Sequence, residues 1–415
     1  MPDKNNHLKN LLKKKSFMLF LTGQGVSNFG DAFQFIATTV LLVELTGSGL
    51  SAVLGIICSQ VPSLFLSPFA GYLGDRFNEK NLCIAMDLLR GFVVIMFVGN
   101  YNTVQVYTLM LLLSMTDIVY GPARKKIIVN IIKEKELLMG NSLLMGISGF
   151  AYMIGPLLAS ILIGIWGPDI AFFINSLSFL FSALTILFVR MGASSGFTGS
   201  YSVRKTLSSI MLDIKDGFKY YKGVREIREF VMLGVIMGTA ASSVNIAFFP
   251  YAFDTLRVTD AGWGLMMSIF YGTNLLAMFI SIILNKRIAG GMKSFIYVSM
   301  LIASIIWFYY GMVKNLYVVL LLQSIEGTIL AFNSILIGTK LQTIINKAYM
   351  ARVMSISDIL GNISRIVVVG ATFITLSFVS EKYIFLANSV FLMFYTVYKI
   401  LMLLFFSKKT ASTCN

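Results

Sequence analysis

Gln24, Ser27, Asn28, Asp31, Gln34 and Thr38 recur at steps of three or four within one apolar stretch. That spacing puts them on one face of a helix. A carboxylate with amide neighbours a turn above and below can take up and release a proton, because removal from water disfavours its charged form. Gln323, Glu326 and Asn333 form a second such face, and Ser355, Asp358, Asn362 and Arg365 a third. Asp31 and Glu326 are the expected proton-exchanging groups. Gln24, Asn28, Gln34, Gln323, Asn333 and Arg365 are the expected lining of a polar substrate cavity. Arg365 is also expected to pair with Glu326, since either charge alone is costly in an apolar interior.

Other chemistries lack their residues. The single histidine, His7, lies in the N-terminal tail, so it serves neither proton relay nor metal binding. Cys58, Cys83 and Cys414 have neither zinc-site spacing nor the number for a disulfide framework. No Gly-x-x-x-x-Gly-Lys-Ser/Thr loop is present to power a nucleotide motor. No enzyme, metal or cofactor is therefore expected, and the energy source would be an ion gradient, with protons carried on carboxylates. Asp87 and Arg90, three residues apart, are expected to pair locally, and Glu44 and Asp254 to sit solvated at outer edges.

The positioning elements follow from composition. Of 415 residues, 57% are hydrophobic and 13% charged, and the mean hydropathy is +0.79. Soluble domains carry about 25% charged residues, so the apolar surplus must face lipid. Stretches long enough to span a bilayer fall at 17–46, 49–74, 81–99, 103–123, 139–166 and 169–190, then at 229–252, 260–285, 293–313, 316–340, 353–379 and 383–406. The expectation is an all-α membrane protein of twelve helices in two six-helix bundles, 1–190 and 229–415. The joining stretch, 191–228, reads as a Gly/Ser segment followed by an amphipathic basic helix carrying Ile210, Ile214, Phe218 and Tyr221. The N-terminal stretch lacks the short apolar core and small-residue cleavage site of a signal peptide.

Charge gives the orientation. Of the 34 Lys and Arg, 28 fall on one alternating set of connections and the tails. The other set holds only Arg257, Lys314 and Lys382, while Arg90, Arg365 and Lys399 lie within spans. The basic side is expected to be cytoplasmic, with both termini there. The same loop bias explains the net charge of +15 without a nucleic-acid partner.

Between the second and third spans the chain reads Gly71-Tyr-Leu-Gly-Asp75-Arg76-Phe-Asn-Glu-Lys80. This resembles the signature loop of the major facilitator superfamily, with Asn78 and Glu79 departing from its glycine and its basic residue. The fifth span carries Gly146, Gly149, Gly155-Pro156 and Gly164 and is similar to the family's antiporter motif. The first span, Gly23-Gln24-Gly-Val-Ser27-Asn28-Phe-Gly30-Asp31, and Tyr120-Gly-Pro122-Ala-Arg124 resemble the macrolide-efflux type of drug:proton antiporter. Lysophospholipid transporters of the same superfamily share these features.

The resemblance implies alternating access in a bacterial cell membrane, with Gly71, Asp75, Arg76, Lys80 and Asp117 in a conformational latch and Gly155-Pro156 as a hinge. It implies export of a small amphipathic drug or secondary metabolite by a monomer whose other partners are membrane lipids. The alternative it leaves open is a lipid or lysophospholipid transporter.

Overall fold

The computed structural model describes residues 11–59, 62, 66, 77–99, 102–133, 136–191, 218–288, 292–346 and 349–412. Among them are twelve helices of ten residues or more. The first six are α1 (Lys15–Thr46), α2 (Leu50–Ser59 in its described part), α3 (Glu79–Ile95), α4 (Thr103–Ile131), α5 (Leu137–Trp166) and α6 (Asp169–Phe188). The remaining six are α7 (Arg225–Pro250), α8 (Asp260–Ile288), α9 (Met292–Tyr310), α10 (Leu316–Ile344), α11 (Met350–Leu376) and α12 (Glu381–Ser412). Ten of the described helices are long and apolar enough to cross a membrane.

Local chemistry sets several helix ends. Asn78, Asn102 and Asn315 cap α3, α4 and α10 by accepting from backbone N–H groups of the first turn. Gly47 closes α1 at φ 72°, a left-handed conformation that strains any residue with a Cβ. Beyond Pro250, α7 continues as one π-helical turn, Tyr251–Thr255.

Two compact units result. One comprises 1–199 with 257–272, the other 200–256 with 273–415. In the first, α1 packs on α4, α5 and α6, and α3 packs on α4 and α6. In the second, α7 packs on α10, α11 and α12, and α9 packs on α10 and α12. Each pairing recurs six helices later, which is the pseudo-symmetry of two related bundles. Phe92, Leu187, Val367 and Phe394 are more than half exposed on their helices, as lipid-facing positions should be.

Close approach in the first unit relies on small residues. A Cβ on Gly30 would lie 2.2 Å from Ser178 Oγ, so α1 sits against α6 only because the position lacks a side chain. A Cβ on Gly155 would lie 2.7 Å from the Ala32 methyl carbon. Helix α5 runs unbroken through Gly155-Pro156, and the Leu157 N–H donates to Ser268 Oγ of α8 at 3.1 Å.

Two expectations change, and a third lies largely outside the described residues. Helix α4 continues to Ile131 through Pro122, eight residues past the expected end at 123, so Asp117 lies near its middle and not close to its terminus. Helix α3 is only 17 residues long because Asn78 starts it and Met96 stops it. The expected amphipathic helix within 191–228 has only its end, from Phe218, among the described residues.

Outside the spans, Lys14 Nζ donates to Glu136 Oε2 at 2.5 Å and joins the starts of α1 and α5. Burial alone would raise the Glu136 carboxyl, but the bonds from Lys14 and the Lys133 backbone N–H hold it below the ordinary glutamate value. A carboxyl lowered in the folded state stabilises at pH values above its ordinary pKa, and that contribution is lost as pH falls through the lowered value. Lys14→Gln is therefore expected to lower the thermal midpoint at neutral pH and to match wild type in acid. A deficit of equal size at both pH values would refute the pairing.

Candidate functional site

In the first unit the polar face of α1 meets polar faces of α4 and α6, on which α3 also packs. Asp31 stands midway along the 32-residue α1. Asn175 of α6 lies beside Asp31 and donates to Gln34 Oε1. Gln24 Nε2 donates to Tyr120 Oη at 2.5 Å, and Arg124 reaches Gln24 Oε1 at 3.3 Å. Both glutamines are buried, while Asn28 and Asp31 are partly exposed.

Beside this chain lies a compact ionic cluster. Arg90 Nη2 is 2.6 Å from Asp117 Oδ1, and Arg90 Nη1 is 3.3 Å from Asp87 Oδ1. The guanidinium also stacks over the Tyr120 ring at 3.9 Å. Ser182 Oγ donates to the second Asp87 oxygen at 2.8 Å. Asp87 is fully buried and Arg90 nearly so, whereas the Asp117 side chain is 56% exposed. The charges of Asp117, Arg90 and Asp87 all act on Asp31. Two carboxylates thus contact one buried guanidinium, with Asp31 within range of its charge and Arg124 at the edge. At membrane depth that surplus of negative charge attracts a proton or an organic cation.

The second unit treats its carboxylate differently. Glu326 is buried on α10, with Oε1 accepting from Trp307 Nε1 at 2.6 Å and Oε2 from Tyr310 Oη at 2.8 Å. The Tyr310 ring packs against Phe248, Tyr251 and Phe385, so the carboxylate sits in an aromatic cage. Arg365 lies exposed on α11, and among the described residues no ion pair joins it to Glu326. The expected Arg365–Glu326 pair is therefore corrected, because two aromatic donors on α9 satisfy the carboxylate instead. Asn333 Oδ1 accepts from Ser299 Oγ at 2.6 Å, and among the described residues neither Asn333 Nδ2 nor Gln323 Oε1 has a partner. Both residues are buried inside the unit.

Glu326→Gln would set the amide N–H₂ against one of two N–H or O–H donors. An unmatched buried donor costs about 1–3 kcal/mol. The expected result is a lower thermal midpoint with altered Trp307 fluorescence. An unchanged midpoint would show that the cage does not hold the carboxylate as drawn.

The latch residues divide. Gly71, Asp75 and Arg76 lie outside the described residues. Lys80 Nζ donates to the Leu187 and Val189 carbonyls at 2.8 and 2.9 Å, closing the last turn of α6. Asp117 is bonded to Arg90.

Sequence reading missed Asn175, Ser182 and Tyr120 as site residues. A signal existed: Asn175, Ser178, Ser182 and Thr185 repeat at three or four on an otherwise apolar helix. They face the glycines of α1, since Cβ atoms on Gly23 and Gly30 would strike Thr185 and Ser178.

Helix pairings repeated across two units, with charge buried between packed spans, describe a transporter architecture, and comparisons with known proteins agree. Solved structures share the fold at low identity. A bacterial homologue of the iron transporter ferroportin in an inward-facing state superposes with a TM-score of 0.69 at 14% identity, covering 92% of this chain and 98% of that one. A POT family transporter in complex with a thioalcohol-conjugated peptide gives 0.71 at 14% identity, covering 94% and 96%.

Among curated proteins, the MFS-type transporter YfiS of Bacillus subtilis is 25% identical over half of each chain. Macrolide efflux protein A of Streptococcus pyogenes is 24% identical over 43% of this chain and 45% of its own. The multidrug efflux pump Tap of Mycobacterium bovis is 22% identical over 57% and 58%. The chain thus matches about half the length of these relatives. The family model described as Major Facilitator Superfamily matches residues 16–369, most of the chain, which therefore belongs to that superfamily of multi-pass membrane transporters.

Proposed function

We propose that this transporter exports small amphipathic compounds, preferentially cationic ones, in exchange for protons. The observation that carries the reading is the surplus of carboxylate over guanidinium among Asp31, Asp87, Asp117 and Arg90 inside the first unit. A proton or a cationic substrate can neutralise that surplus, and competition between them is the coupling that antiport requires. Relatives named for macrolide efflux and multidrug efflux support export over lipid transport. Asp31 is the exchanging group, and no cofactor takes part. The protein works as a monomer in a bacterial cell membrane with both termini in the cytoplasm, as the loop charge bias favours.

The test is transport by purified protein in liposomes, with a panel of cationic, neutral and anionic amphipathic compounds, with and without a pH gradient. Uptake that is gradient-dependent and selective for cations is expected. Gradient-independent movement of phospholipid alone would defeat the proposal. In the same assay Asp75→Asn is expected to slow turnover several-fold while substrate binding persists, because the loop biases conformations without touching substrate. Wild-type turnover in that variant would remove Asp75 from the latch.

A further inference from the structure

A second polar site lies in the second unit, away from every carboxylate used above. A cavity of about 740 Å³ opens among the first turns of α7, the start of α9 and the stretch of α12 carrying Tyr395, Lys399 and Met402. Arg225, Arg228, Lys293 and Lys399 line it, against Glu226 and Glu229. Both carboxylates are already engaged. Glu229 accepts from Lys293 Nζ at 2.9 Å and Tyr297 Oη at 3.0 Å, and Glu226 lies 3.1 Å from Lys340 Nζ.

Arg228 donates to the Lys222 carbonyl, which leaves its charge uncancelled, and Lys399 stands 5.7 Å from the centre of the Tyr395 ring. Among the described residues no carboxylate lies within ion-pair distance of either. The cavity therefore holds net positive charge. Met232 is exposed at the cavity wall, and Met402, one turn beyond Lys399 on the same face of α12, also lines it. Cation, hydrogen-bond donor and exposed apolar surface thus lie together at the basic ends of the spans.

We infer that this cavity binds a phosphate-bearing anion, supplied by the headgroup of an anionic phospholipid in the adjoining leaflet. A phosphate diester would accept from Arg228 and Lys399, while its acyl chains lie along Met232 and Met402. The arrangement explains why Lys399 stands within a span. Its stem crosses apolar surface and its ammonium reaches the headgroup level.

The experiment measures lipid retained by the purified full-length protein, by native mass spectrometry, after exposure to phosphatidylglycerol or phosphatidylcholine. A parallel arm adds inorganic phosphate without lipid and reads the thermal midpoint. Preferential retention of phosphatidylglycerol is expected, falling roughly fivefold for each cation removed in Arg228→Gln/Lys399→Gln. Lys399→Arg, which keeps the charge, should retain lipid. Lys13→Gln/Lys15→Gln, which removes two charges elsewhere, should leave retention unchanged. A midpoint raised by inorganic phosphate, and lost in Arg228→Gln/Lys399→Gln, would keep the phosphate site but assign it to a soluble ligand if phosphatidylglycerol is not retained. Equal retention of both lipids with no response to phosphate would overturn the inference, as would equal losses in the two double variants.

Discussion

Asp31→Asn is expected to abolish gradient-driven accumulation of substrate in liposomes while passive exchange continues. Asparagine has nearly the same shape and still presents an oxygen beside Asn175, so the packing of α1 on α6 should survive. It has no proton to exchange, and it reduces the negative surplus around Arg90. Coupling free energies of this kind correspond to factors of about 5–150, so accumulation should fall by that range or to background. The pH dependence of exchange should flatten as well. A variant that still pumps against a gradient would remove Asp31 from the coupling step. If Glu326→Gln alone uncouples transport, the exchanging carboxylate is the caged one on α10, and the surplus in the first unit is structural.

Arg90→Gln is expected to be the most damaging single substitution for folding. Among the described residues Arg90 is the one cation in direct contact with Asp87 and Asp117, and Asp87 is fully buried. Removing one partner of a buried ion pair costs about 3–5 kcal/mol, because the stranded charge stays buried. The guanidinium also stacks on Tyr120, so Arg90→Lys should rescue only in part. The informative control is Arg90→Gln/Asp87→Asn, which removes charge from both sides. If the cluster is held by charge, the double variant is more stable than Arg90→Gln alone, measured as thermal midpoint and yield of monodisperse protein. Equal damage in both would mean that Arg90 acts through its packing on Tyr120 and Phe179.

Two kinds of result separate these predictions. Loss of Asp31 should change transport and spare the thermal midpoint, whereas loss of Arg90 should lower the midpoint before transport can be read. The opposite pattern would exchange their roles.

The helical, membrane-spanning fold was legible in the sequence because its signals are local. An apolar run of the right length must be a helix in lipid, where each backbone N–H needs a partner within its own segment. The polar faces of α1 and α10 were legible for the same reason, since a period of three or four is a property of one helix. The extent of α4 was not, because Pro122 and the basic run Arg124-Lys125-Lys126 read as a span's end while the helix runs on to Ile131. Proline at that point removes one backbone bond without ending the helix.

Partner choice was decided by tertiary structure. Asp87 and Arg90 read as a local pair, and they do touch, but the shorter contact of Arg90 is to Asp117 on the next helix. Glu326 and Arg365 read as partners because each charge alone is costly. The structure places Trp307 and Tyr310 on the carboxylate and leaves Arg365 exposed. Both outcomes have one cause. Sequence spacing fixes which residues share a face of a helix, whereas the rotation of each helix about its axis, set by packing at positions such as Gly30 against Ser178, fixes which face that one meets.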